Sequence, residues 1–219
     1  MASPLTVWSS TADGLCSSYN TDYAVARATV NASNNNQYTL DVGQQYTSSY
    51  YYCFESFVGF DTSSIGADAT VTLATLSLYG KEDTSLTDFT LEARIRDWGG
   101  TLTTADWVSG TPADTPSLDE LTLVASRSTA PSWPTSAYNA LTSEAAFATN
   151  IAKTGTTYLI LDSSRHVAGN QPSGYEIIGS WSAEDNTGGG GTDRDPKLYV
   201  EWTTGGTADR TCLIQFGVC

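Results

Sequence analysis

The chain has 219 residues, of which 40% are hydrophobic and only 16% charged, with 24 acidic side chains against 10 basic ones and a formal net charge of -14. That length is enough for one large domain with a buried core. The acidic excess repels phosphates, so nucleic acid and anionic membrane surfaces are excluded as partners, and its plain physical role is solubility.

No segment approaches the roughly 20 apolar residues of a membrane span. Met1-Ala2-Ser3-Pro4 lacks the basic start and apolar stretch of an export signal, so synthesis in a host cytoplasm is expected, with later release by lysis or a dedicated route. Residues 5–8 form a short apolar strand. Residues 22–30 alternate in part, with Tyr23, Val25 and Arg27 on one side, and are predicted as a second strand. Residues 31–36 form a polar turn, and 37–44 a strand with Tyr38, Leu40 and Val42 on one face. Residues 46–52 are rich in Tyr and Ser and read either as a loop or as the exposed start of the next strand.

The run from 50 to 80 is strand, turn, strand: β-branched and aromatic segments at 54–60 and 71–79 flank a turn of Asp, Thr, Ser and Gly. Ala74-Thr75 shifts the alternation, which predicts a bulge or bend there. Residues 89–95 are cleanly period-two, with Phe89, Leu91, Ala93 and Ile95 toward the core and Thr90, Glu92, Arg94 and Arg96 toward water. Residues 98–134 are irregular, broken by Gly99-Gly100, Pro112, Pro116, Pro131 and Pro134, with one strand near 121–125. One short helix is predicted at 143–152, capped by Ser143, with Phe147 and Ile151 on one side. Strands at 156–162, 175–181 and 198–202 complete the domain.

About ten short strands at regular spacing with a single helix predict an all-β fold, an antiparallel β-sandwich of jelly-roll type. The domain spans 1–203. A tail at 204–219 is apolar at its end, with Leu213, Ile214, Phe216 and Val218, and reads as an assembly segment that docks on a neighbour or covers the domain's own sheet edge.

Several motifs together resemble one family. They are Asp13-Gly14, Tyr23-Ala24-Val25-Ala26-Arg27, Val42-Gly43-Gln44, Gly59-Phe60-Asp61-Thr62-Ser63-Ser64-Ile65, Ala69-Thr70-Val71-Thr72 and Leu76-Ser77-Leu78-Tyr79-Gly80. Tyr138-Asn139-Ala140-Leu141, Leu161-Asp162-Ser163-Ser164-Arg165 and Pro196-Lys197-Leu198-Tyr199-Val200 follow in order. In that order they are similar to the DNRLRE-type jelly-roll domains, themselves similar to carbohydrate-binding modules, of bacteriophage structural proteins and prokaryotic surface proteins. Where such domains often carry a basic residue before the Gly-Phe segment, this chain has Glu55-Ser56. The resemblance implies a rigid adhesive or structural module without catalytic activity. The leading expectation is a virion protein of a tailed bacteriophage, a capsid decoration, head-fibre or tail-fibre module. It would contact other virion proteins, form a homo-oligomer and be extracellular after release. The alternative is a carbohydrate-binding module that adheres to cell-surface glycans.

The residues that could carry chemistry divide into four groups. Tyr46, Tyr50, Tyr51, Tyr52 and Trp133 are the candidate sugar-stacking rings, with Trp98, Trp107 and Trp181 assigned to the core; alternation sends Tyr51 to the side opposite Tyr50 and Tyr52. Asp185, Asp193 and Asp195 around the four-glycine run 188–191 are the candidate ligands of a structural calcium. Cys16 and Cys53 could meet across two strands and Cys212 and Cys219 could close a small ring, or all four stay as free thiols. The cysteines lack the C-x-x-C spacing of a zinc site, and the single His166 cannot complete one alone. No G-x-S-x-G elbow accompanies His166, and the scattered carboxylates Glu55, Asp61, Asp97, Glu176, Glu184 and Asp185 are the only basis for a glycosidase.

Overall fold

Alternating and β-branched runs become strands throughout the computed structural model, which describes residues 3–35, 38–108, 117–183 and 193–204. Among the described residues there are thirteen strands: β1 (Ser3–Trp8), β2 (Gly14–Asn20), β3 (Ala32–Asn34), β4 (Thr39–Thr47), β5 (Tyr50–Asp61), β6 (Ala69–Asp83), β7 (Thr90–Ile95), β8 (Leu123–Ser128), β9 (Tyr138–Ala140), β10 (Thr142–Ser143), β11 (Thr156–Ser163), β12 (Tyr175–Trp181) and β13 (Lys197–Thr204). Three short helices join them: α1 (Tyr23–Ala28), α2 (Ala145–Thr149) and α3 (Ser164–Val167). The strands form one curled antiparallel sheet in the order β1-β13-β6-β12-β4-β5-β11-β7-β8-β10, with β2 beside β5, β3 beside β2 and β9 beside β6. The fold is the expected all-β sandwich of jelly-roll type.

Two cores sit on opposite faces of the β5–β11 pair. The first, between the layers, includes Val58, Phe60, Leu76, Leu91, Phe147 and Leu159. The second lies beneath the long segment after β7 and includes Cys16, Phe57, Trp98, Leu102, Trp107 and Ile160. Neighbouring residues therefore point into different cores, Phe57 and Val58 on β5 and Leu159 and Ile160 on β11. Both faces being covered explains why these strands read as nearly continuous apolar runs.

The structure departs from the sequence reading at several elements. Residues 22–30 are not a strand: Asp22 caps α1, its Oδ1 accepting from the Ala24 N–H at 2.8 Å, and Tyr23 and Ala26 bury one side of the helix. The described residues thus hold three α-helices rather than one. The predicted helix at 143–152 is confined to α2, preceded by Glu144. Ser143 belongs to β10, and its hydroxyl donates to the Ala74 carbonyl at 2.5 Å. Phe147 and Ile151 still both reach the first core. The β6 bulge lies at Thr72, where the register against β13 slips between Glu201 and Trp202, not at Ala74-Thr75. That slip leaves Leu73 exposed while Ala74, Leu76 and Leu78 turn inward. Arg94 is buried, not wet, because it pairs with Glu92 at 2.6 Å and donates to the Leu121 carbonyl at 2.7 Å.

Cys16 and Cys53 form no disulfide; both are buried free thiols. Register is the reason. Cys16 stands opposite Glu55 and Cys53 opposite Ser18, so the two cysteines are diagonal neighbours. Diagonal Cα atoms lie about 7–8 Å apart, beyond the roughly 4.4–6.8 Å that a disulfide spans.

Candidate functional site

The β4–β5 hairpin turns through Ser48 and Ser49, at φ 51° and 70°, with Thr47 opposite Tyr50. Two residues in the left-handed region make the tight turn whose twist matches antiparallel strands. β4 pairs with β5 only as far as Gly43, opposite Phe54, and continues against β12 alone. Gly43 has φ +127°, and a Cβ there would lie 2.0 Å from the Glu176 carbonyl oxygen, so only glycine permits the departure.

Alternation then sorts the tyrosines onto two faces. On one face a row crosses four strands, Tyr175 opposite Gln45, Gln45 opposite Tyr52, and Tyr52 opposite Tyr19. Tyr19, Tyr50 and Tyr175 are 49%, 40% and 41% exposed. Tyr19 stacks on Tyr52 with ring centroids 5.7 Å apart and planes at 29°, and meets Tyr50 edge-on at 6.0 Å. These rings form a ledge, half wet, with the Gln45 amide among them.

The opposite face anchors the hairpin. Tyr51 packs between Tyr46 at 4.6 Å and Tyr23 at 5.5 Å, and its hydroxyl accepts from Gln171 Nε2. The Tyr23 hydroxyl donates to Gln44 Oε1 at 2.6 Å, and Gln44 Nε2 donates to Glu176 Oε2 at 2.7 Å. Glu176 also pairs with Arg165 at 2.8 Å. This connected polar network fixes the ledge from behind.

Of the five rings predicted to meet sugar, Tyr50 and Tyr52 lie on the ledge and Tyr46 and Tyr51 on its back. Trp133 is elsewhere and unavailable: it is only 2% exposed, packs in the first core, and its backbone N–H donates to Asp83 at 3.0 Å. Tyr19 and Tyr175 were not anticipated. Tyr19 stands in a Ser-rich strand without an apolar run, and Tyr175 opens a strand whose register no local pattern reveals. Trp98 and Trp107 are buried as expected. Trp181 is half-buried instead, covered by the Arg194 guanidinium at 4.2 Å and the Lys81 ammonium at 5.1 Å.

A second constellation lies in the interior. The β5–β11 register ends with Leu161 opposite Ser56, and just beyond it the Asp162 and Glu55 carboxylates come within 4.8 Å. α3 follows directly and places His166 one turn beyond Asp162. Glu55, Asp162 and His166 all have 0% exposure. Asp162 holds His166 Nδ1 with its two oxygens at 2.8 and 3.0 Å, and Arg27 donates to the His166 carbonyl at 2.8 and 3.1 Å. Glu55 Oε2 accepts from the Val108 N–H at 3.0 Å. The Trp107 ring lies 5.8 Å from the imidazole. Burial pushes the Glu55 carboxyl well above its ordinary value, and the facing Asp162 pushes it further. Burial opposes an imidazolium at His166, but the Asp162 carboxylate and the Cys53 side chain together outweigh it and hold the ring's pKa well above the usual value. An acid-held imidazole is the geometry of a general base. All three residues are closed off from solvent.

Among the described residues the remaining carboxylates are engaged separately. Glu176 is bound as above, Asp61 accepts from the Ser63 N–H at 3.0 Å, and Asp97 accepts from the Gly99 N–H at 2.9 Å. Asp193 is exposed, and Asp195 is buried beside Asp13. Asp185 and Glu184 lie outside the described residues, as do Cys212, Cys219, Leu213, Ile214, Phe216 and Val218 of the tail. No helix among the described residues is long and apolar enough to cross a membrane. No protein-family model matches the chain, and no curated protein matches it.

Proposed function

We propose that this chain is a non-catalytic adhesion module that binds glycans through the ledge of Tyr19, Tyr50, Tyr52 and Tyr175. One observation carries the reading: a row of half-exposed rings crosses four paired strands and is held from behind by a buried polar network. The apolar C–H face of a sugar packs against such rings, and amides such as Gln45 satisfy its hydroxyls. Because the rings are already ordered by packing, little conformational freedom is lost on binding. A virion or cell surface is the setting that the motif resemblance suggests, with other virion proteins and further copies of the chain as partners there.

The test is a titration of oligosaccharides from a glycan array hit, followed by heteronuclear NMR on the full chain. Binding at about millimolar concentration or below is expected, and Tyr52→Ala or Tyr19→Ala weakens it about tenfold, roughly 1.4 kcal/mol. Tyr46→Ala, on the opposite face, leaves it within about twofold. No glycan bound by the wild-type chain, or equal losses from both faces, would overturn the reading.

A further inference from the structure

Within the buried cluster of Glu55, Asp162 and His166, Glu55 Oε1 has no hydrogen-bond partner. Left unpaired in a dry interior, such an atom destabilises the fold. One donor atom from each of Glu55, Asp162 and His166 lies within 4.8 Å of the others. The Cys53 thiol adjoins the imidazole.

We propose that Glu55, Asp162 and His166 form a buried structural site for a divalent transition metal, zinc first. A dication balances two carboxylates and a neutral imidazole, so the interior carries no net charge. It also supplies the missing partner of Glu55 Oε1. Imidazole with carboxylates suits zinc, and the neighbouring thiol favours it further over calcium or magnesium. Donors around tetrahedral zinc sit about 3.3–3.7 Å apart, as bond lengths near 2.0–2.3 Å require. A contraction of at most about 1.5 Å closes the present spread. The site differs from cysteine–histidine zinc motifs in joining Asp162 and His166, one turn apart, to Glu55 on a strand remote in sequence, so Cys spacing and a single His gave no sign of it.

The ion would tie β5 to β11 and α3 beneath the second core. Since no ligand atom is exposed, loading accompanies folding and exchange from the native chain is slow. The full chain is refolded with zinc, dialysed, and its metal measured by mass spectrometry. About one zinc per chain is expected, lost on unfolding in the presence of chelator, with a lower Tm for the metal-free protein. Glu55→Gln and His166→Gln reduce the bound zinc at least about tenfold. Cys212→Ser with Cys219→Ser retains it, which separates this site from the tail thiols. Cobalt(II) refolded into the wild-type chain gives the visible bands of a tetrahedral site, a readout independent of whether the variants fold. A wild-type chain that holds no zinc and gives no cobalt spectrum would overturn the proposal. So would folded Glu55→Gln and His166→Gln variants that keep wild-type metal content. The glycan reading stands or falls separately, since the ledge residues take no part in this site.

Discussion

Asp13 is wholly buried, and its Oδ1 accepts from the Gly59 N–H at 3.2 Å, with Ser9, the Ala183 N–H and Asp195 also facing it. Burial raises its pKa well above 3.8, and the neighbouring Asp195 adds to that rise. The sign follows from linkage. Below its unfolded value the group is neutral in both states and costs nothing. As pH rises past that value the unfolded chain releases the proton while the folded chain keeps it, so stability falls until the folded pKa is passed. Asp13→Asn keeps an acceptor for Gly59 and does not titrate. Urea unfolding of both proteins is expected to show the variant gaining on wild type as pH rises above about 4, at up to about 1.4 kcal/mol per pH unit. Parallel stabilities across that range would show that Asp13 is ionised in the folded state. Nothing in the Asp13-Gly14 dipeptide marks its acid as buried, because a turn aspartate in water has the same sequence. Glu55 was different: an acid within an apolar strand stands out, and only its partners, far along the chain, were invisible.

At the scale of elements, legibility followed how far a local pattern is forced by one partner surface. Residues 89–95 face one core and water, so period two was plain. β5 and β11 face two cores, so their apolar runs were recognisable as buried strands while the existence of the second core was not. α1 was misread because Tyr23, Val25 and Arg27 satisfy period two while Tyr23 and Ala26 also satisfy the helical spacing, and the Asp22 cap decided the outcome. The β4–β5 turn was hidden because Ser48-Ser49 lacks the Asn-Gly signature of its type. That disguise has an energetic consequence. Serine at positive φ is disfavoured, whereas asparagine and glycine tolerate it. The double change Ser48→Asn with Ser49→Gly is therefore expected to stabilise the fold by about 1 kcal/mol, read as a higher Tm with an unchanged circular-dichroism spectrum. A lower Tm would mean that the serine hydroxyls hold the turn by contacts that outweigh the backbone preference.

On the scale of the whole molecule, the two cores share a wall. Ile160 is buried in the second core through β11, and Ile178 is buried in the first through β12. Their neighbours Leu159 and Val58 close the first core from the very strands whose other faces, Ile160 and Phe57, close the second. Neither core can lose its packing while β5 and β11 remain ordered against the other, so the described body is expected to unfold as one cooperative unit. Ile160→Val and Ile178→Val each remove one buried methylene and should each cost about 0.5–1.5 kcal/mol. The decisive measurement is the shape of the transition. Far-ultraviolet circular dichroism, which follows the sheet, and tryptophan fluorescence, which follows Trp98 and Trp107 in the second core and Trp133 in the first, should give one coincident urea midpoint for each protein. Ile160→Val should move both probes together. If it moved the fluorescence midpoint alone, the layer beneath the segment after β7 would be a separable lid on an independent sandwich. The acid–imidazole cluster would then lie in the less stable of two units, where a bound ion contributes most to holding the chain together.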